Sequence, residues 1–218
     1  MDRQVLLRKI MKAGDEVRRL EQDLIALQSI DIVGYPDNYS NLSQQASIKS
    51  EYITRKIREL VYSTTNTKWS KLFDDAVNEL GITVTRSKSG IVDITIPCLI
   101  PGRKKKPTEF ITMPLYTALE QFIIAQSEKA PFERFTHCVI CITHIYDKRL
   151  LGKGRKRDYD NIETKAIIDV INTFLLTDDS GLYCSIFNTS EFSDADSTRF
   201  SIMEKDMFSR WFTDMKNG

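Results

Sequence analysis

The sequence predicts an α+β protein, a mixed sheet with packed helices preceded by an all-helical N-terminal region. Three observations predict it. Apolar residues in the first third recur at steps of three and four, the period of a helix face. Beyond about residue 90, β-branched and alternating segments take over, as strands do. Helical stripes lie between those segments, so strands and helices share one core. The expected division is a helical hairpin over 1–65 and an α+β domain over 66–218.

Residues 3–28 read as a helix, with Ile10, Val17, Leu20, Leu24 and Leu27 as its apolar face and Arg18, Arg19, Glu21 and Asp23 outside. The turn formers of 31–41 form a loop, and a second helix follows over 43–63 with Ile53, Ile57, Leu60 and Val61 on one face. The two would pair as an antiparallel hairpin, either a folded accessory unit or a dimerisation device. A third helix is expected over 68–80, ended by Gly81 in a left-handed conformation.

The segment 91–100 is the first expected strand, and Pro101-Gly102 turns the chain into the basic run Arg103, Lys104, Lys105 and Lys106. A helix over 115–125 comes next. The stretch 138–146 is apolar on both faces, as a central strand is. A helix over 161–175, strands over 182–190 and 198–204, and a short helix over 205–215 complete the order.

With 28% charged residues but a net charge of +1, any electrostatic signal for a partner must be local. No apolar run approaches the ~18 residues needed to span a bilayer, and the N-terminus lacks a secretory apolar stretch. The expectation is a cytoplasmic protein without a membrane partner. Cys98, Cys138, Cys141 and Cys184 lie in apolar, strand-like contexts. Cys138 and Cys141 would point to opposite faces of a strand, so reduced, packed thiols are expected rather than a zinc site. Trp69 and Trp211 read as packing residues, and neither His137 nor His144 as a ligand.

The chemistry concentrates in 148–181. Lys148, Arg149, Lys153, Arg155, Lys156 and Arg157 crowd one loop beside two glycines. Such a loop is either a solvated surface or a set of cations for a phosphate backbone. It leads straight into Asp158 and Asp160, spaced i, i+2. On extended chain both carboxylates would leave one face, and held close they need a cation or a proton between them. Hard oxygen donors suit Mg²⁺ or Mn²⁺. Asp160 also fits a helix N-cap with Glu163 completing a capping box. Lys165 and Asp169 lie one helical turn apart, as an ordinary surface ion pair or as an ammonium beside a scissile phosphate. Asp178 and Asp179 open a turn, and either could add a third carboxylate.

These residues together resemble the signature of the RusA-type Holliday-junction resolvase family. The matching stretches are Asp158-Tyr159-Asp160-Asn161, then Lys165-Ala166-Ile167-Ile168-Asp169-Val170-Ile171-Asn172, then Asp178-Asp179-Ser180. The broader likeness spans about 91–204, and the helical N-terminal third lies outside it. The resemblance implies a RusA-like fold and a homodimeric, Mg²⁺-dependent endonuclease of phage or bacterial type that cleaves four-way DNA junctions. It implies Asp158, Asp160 and Asp179 as metal ligands, Lys165 as the assisting lysine, and no small-molecule cofactor. Two other readings stand beside it. One is a non-catalytic DNA-binding or regulatory protein on the same fold; the other is an interaction protein whose hairpin is the working part.

Overall fold

A computed structural model of the chain describes residues 3–64, 77, 79–102, 109–128, 131–150 and 158–217. The chain divides into two compact units, Met1–Trp69 and Ser70–Gly218.

The first unit is a pair of long helices, α1 (Arg3–Ser29) and α2 (Pro36–Thr64). They run antiparallel: Lys49 Nζ of α2 meets Asp23 Oδ2 of α1 at 2.6 Å, while the earlier Lys9, Lys12 and Ala13 line a cleft with the later Tyr52, Lys56 and Leu60. The second helix starts at Pro36, well before the expected 43. Proline suits a first helical position because its missing N–H has no intrahelical partner there. Asp37 adds a favourable charge to the first turn. The connection is correspondingly tight, with the Asp31 carboxylate accepting the Val33 N–H at 2.9 Å.

The apolar face of α1 also differs from expectation. Leu6, Ala13, Leu20 and Leu27, at steps of seven, are half-buried, and Gly14, Glu16, Asp23 and Ala26 are partly covered with them. In α2, with Leu42, Tyr52 and Val61 partly covered beside them, Tyr39, Ala46, Ile53 and Leu60 are half-buried or buried, again at steps of seven. These are the seams of a two-helix coiled coil. Ile10, Val17 and Leu24 stay exposed beside the seam.

The second unit is built on a sheet of β1 (Thr83–Arg86), β2 (Val92–Ile96), β3 (Cys138–Asp147), β4 (Cys184–Ser193) and β5 (Ser197–Glu204). Its spatial order is β1-β2-β5-β3-β4. All neighbours pair antiparallel except β3 and β4, which are parallel and in register from Cys138↔Cys184 to Asp147↔Ser193. The sheet is therefore mixed and the unit α+β, as the sequence predicts. Sequence reading missed β1, which forms a hairpin with β2 through Gly90 at a φ of 91°. At Gly81 the φ is 66°, the expected left-handed stop after helical Leu80. The expected helix over 68–80 lies largely outside the described residues, and Trp69 with it.

All ten residues of β3 are buried, which explains its unbroken apolar sequence. On one face, Ile140 and Ile142 join Ile94, Ile96, Phe200 and Ile202 in the main core. Two helices supply the rest, α3 (Glu109–Ser127) with Ile111, Leu115 and Leu119, and α4 (Lys165–Leu175) with Ile167, Ile171 and Leu175. α3 starts before Pro114, six residues earlier than expected, because Ile111 already belongs to the apolar stripe. On the other face, Val139, Cys141 and Met203 meet Phe208 and Trp211 of α5 (Phe208–Asn217). The four cysteines are free thiols. Burial pushes the Cys141 thiol up from 9.0 to about 12, and the Asp93 charge adds to the shift.

Candidate functional site

The crossover from β3 through α4 to β4 carries most of the chemistry-bearing residues. Chain leaving a strand toward a parallel neighbour exposes its connection at the carboxyl end of the sheet, the usual location of ligand sites in parallel arrangements. β3 ends in Asp147, which is buried and held from several sides. Its carboxylate accepts Arg149 Nε at 3.0 Å and Nη2 at 2.7 Å, and its own N–H donates to Asp196 Oδ1 at 2.8 Å. Arg149 also donates to the Asp194 carbonyl, and Lys148 Nζ lies 2.7 Å from Asp194 Oδ1. So these two cations of the predicted phosphate-binding loop already have acidic partners. The hydrogen-bonded Asp147 carboxylate holds the Arg149 guanidinium above its ordinary value. Lys153, Arg155, Lys156 and Arg157 lie outside the described residues, as do Arg103, Lys104, Lys105 and Lys106.

Asp158 is extended, at φ −68° and ψ 136°, but Tyr159–Asn161 is a 3-10 turn. The expected helix over 161–175 begins instead at Lys165, with Thr164 as its N-cap. The cause is long-range. Ile162 forms an antiparallel bridge with Gly102, and the Glu163 N–H donates to the Pro101 carbonyl at 3.0 Å. These backbone groups are thus bound to the chain just beyond β2 and cannot open a helix. Gly102 permits the approach, since a Cβ there would sit 3.3 Å from the Asn161 carbonyl. Two expectations change. Asp160 is not an N-cap of α4, and the intervening turn removes the extended geometry that would align the Asp158 and Asp160 carboxylates.

A residue that sequence reading passed over fixes this turn in place. The Tyr159 ring stacks on His144 of β3, with centroids 5.3 Å apart and planes 22° from parallel. Its hydroxyl is hydrogen-bonded to Ser190 Oγ of β4 at 3.1 Å. His144 is buried, and Asn188 Oδ1 accepts from its Nε2 at 3.2 Å. Tyr159 therefore clamps the two flanking aspartates to both parallel strands. The position of His144 in an apolar strand, two residues from the end of the run, was the available signal.

Asp158 and Asp160 are exposed, and neither side chain has a hydrogen-bond or ion-pair partner among the described residues. Lys165, the first residue of α4, donates to both Asp169 oxygens at 3.0 Å. That carboxylate holds the Lys165 ammonium above the ordinary lysine value, and the charges of Asp179 and Glu163 act in the same direction. Beyond α4, Asp178 accepts the Ser180 N–H at 2.9 Å and so shapes the turn. Asp179 is exposed and stands within electrostatic reach of Lys165.

The acidic residues thus stand before and after α4, whose eleven residues rise about 16 Å. Among the described residues, no three of His, Cys, Asp and Glu are gathered closely enough to hold one metal ion. Asp158 and Asp160 nonetheless fit Mg²⁺ in donor chemistry. That ion is commonly held by one or two carboxylates, with waters and substrate phosphates completing its shell.

No helix among the described residues is long and apolar enough to cross a membrane. No curated protein matches the chain. Among solved structures, the periplasmic domain of Helicobacter pylori MotB (residues 90–256) aligns at 11% identity, covering 63% of this chain and 88% of that one, with a TM-score of 0.33. A putative translation initiation inhibitor from Salmonella typhimurium aligns at 9% identity, covering 57% of this chain and 98% of that one, with a TM-score of 0.24. Residues 2–218 match the model described as a family of unknown function, DUF6100, and the chain belongs to that family.

Proposed function

We propose that this protein binds branched DNA and cleaves it as a Mg²⁺-dependent endonuclease, acting as a homodimer like the RusA-type enzymes its motif resembles. One observation carries the reading. A single crossover holds two exposed aspartates at its entry with no side-chain partner among the described residues, a lysine as the first residue of its helix, and a further exposed aspartate whose charge that lysine feels. Exposed carboxylates that follow directly in sequence on a basic run are an arrangement that plain phosphate binding does not need.

In this reading Asp158, Asp160 and Asp179 would hold Mg²⁺ or Mn²⁺, which requires Asp179 to approach the other two, since no three such groups are gathered among the described residues. When bound, such an ion stabilises charge on the transferring phosphate and makes water a stronger nucleophile at neutral pH. Lys165 swings from Asp169 to a phosphate oxygen, where its ammonium offsets developing negative charge. Tyr159 keeps the flanking aspartates on the sheet while the DNA backbone is held by Lys153, Arg155, Lys156, Arg157 and the run Arg103–Lys106. Those contacts fix position along the backbone and carry no base information. A twofold dimer matches the two equivalent strands of a four-way junction.

The spread of the carboxylates to both ends of α4 favours a second reading, a non-catalytic DNA-binding protein on the same frame. A labelled four-way junction and a matched linear duplex, each with Mg²⁺ and with chelator, separate the two. Paired, metal-dependent nicks confined to the junction support the nuclease. Binding without nicks supports the second reading, and neither binding nor nicks removes both. Neutralising Arg155, Lys156 and Arg157 together is expected to weaken binding and flatten its salt dependence; an unchanged slope would place DNA elsewhere.

A further inference from the structure

The exposed side of α1 has a pattern that its partner α2 does not use. Arg3, Leu7, Ile10, Gly14, Val17 and Glu21 recur at alternating steps of four and three, so they form one stripe along the helix. The stripe lies roughly a quarter turn from the seam of Leu6, Ala13, Leu20 and Leu27 that faces α2. Leu7 is 48% exposed, Ile10 50% and Val17 45%, large fractions for three aliphatic side chains in a row. Gly14 sits among them with open space where a Cβ would be. The stripe runs on to the exposed Leu24, and its stretch from Arg3 to Glu21 carries opposite charges at its two ends; neither Arg3 nor Glu21 has an ion-pair partner among the described residues.

The stripe is complementary to itself when reversed. About the level of Lys12, Arg3 lies opposite Glu21, Leu7 opposite Val17, and Ile10 opposite Gly14. A second α1 laid antiparallel would pair cation with anion at both ends. It would also set each isoleucine over the other copy's glycine, where backbones can approach closely. A parallel arrangement would put Arg3 on Arg3 and Glu21 on Glu21. The wider charge distribution has the same sense. Residues 3–12 carry Arg3, Arg8, Lys9 and Lys12 with no acid, while residues 15–23 carry four acids against Arg18 and Arg19.

We propose that the α1 stripe is a self-recognition surface, joining two copies of this chain through an antiparallel α1–α1 contact in the register Arg3–Glu21, Leu7–Val17 and Ile10–Gly14. Two hairpins joined this way form a four-helix bundle with twofold symmetry. The stripe is thereby buried without any new partner. This assignment does not depend on what the second unit does, and it names the surface that a homodimeric enzyme would use.

The test is the oligomeric state of the full chain by sedimentation velocity, without DNA or metal, so that its outcome is independent of cleavage. A dimer is expected. Gly14→Leu has nothing to collide with in the hairpin, so helix content by circular dichroism should hold while dimer dissociation rises by at least about tenfold. Arg3→Glu and Glu21→Arg should each weaken the dimer, and combining them should restore it, because the swap recreates both pairs with reversed sign. A wild-type monomer at all concentrations overturns the proposal. So does a dimer indifferent to Gly14→Leu, or a combined charge swap weaker than either single change.

Discussion

The two units of this chain meet the same requirement, burying apolar surface, in opposite ways. Among the described side chains of residues 3–64, Ala46 and Ile53 are the buried apolar ones, and α1 has none. The second unit encloses Ile94, Ile96, Leu115, Leu119, Ile140, Ile142, Ile167, Ile171 and Phe200 almost completely. Two helices present only one line of contact, whereas a sheet with helices on both faces buries each central strand twice. Stability is therefore concentrated in the sheet unit. The hairpin retains an apolar stripe and a set of surface charges for use elsewhere.

The contrast can be broken by truncating the centre of each unit. Phe200→Ala empties the middle of the sheet core and should cost about 3–5 kcal/mol, seen as a large fall in the denaturant midpoint. Ile53→Ala in α2 should stay near or below about 2 kcal/mol, because a two-helix seam can close over the gap. Equal losses would mean that the hairpin is as tightly packed as the sheet.

Alkaline titration sharpens the same contrast. The Cys141 thiol is raised from 9.0 to about 12 in the folded sheet unit. Above the unfolded value the unfolded chain loses this proton while the folded chain keeps it. Its contribution is thus complete below pH 9.0 and is lost as pH rises toward about 12. Unfolding of wild type should steepen with pH over that window, and Cys141→Ala should show a shallower decline; identical slopes would remove Cys141 as a cause. The smallest effect belongs to Lys49→Ala, which loses the partly buried pair with Asp23. A cost of about 0.2–1 kcal/mol is expected in thermal melts, and a larger one would mean that this pair sets the hairpin's alignment.

Where local pattern and tertiary structure agree, the sequence was enough. The apolar run at β3, the alternation at β5 and the Lys165–Asp169 spacing all translate directly into the observed elements. The start of α4 was not legible, because Gly102 and Pro101, some sixty residues upstream, bind the backbone at Ile162 and Glu163. Asp160 next to Asn161 and Glu163 has every local mark of a helix start, and a remote bridge overrides it. The strand β1 was missed because four half-polar residues at a sheet edge leave little periodicity. In α1 the period was right and the face right only in part: Leu20 and Leu27 are covered while Ile10, Val17 and Leu24 are exposed, and only packing against α2 tells which apolar stripe is buried. The Tyr159 clamp was illegible for the same reason, since it joins residues from three separate segments.

The most direct test of the proposed chemistry is a comparison of wild type with Asp158→Asn on one labelled four-way junction in Mg²⁺, with binding and nicking read on the same samples. Asp158 is exposed and its side chain has no partner among the described residues, so the substitution should leave the fold and junction affinity intact. The account predicts unchanged binding and no nicks from the variant. Nicks at the wild-type rate would contradict it and remove Asp158 from the site.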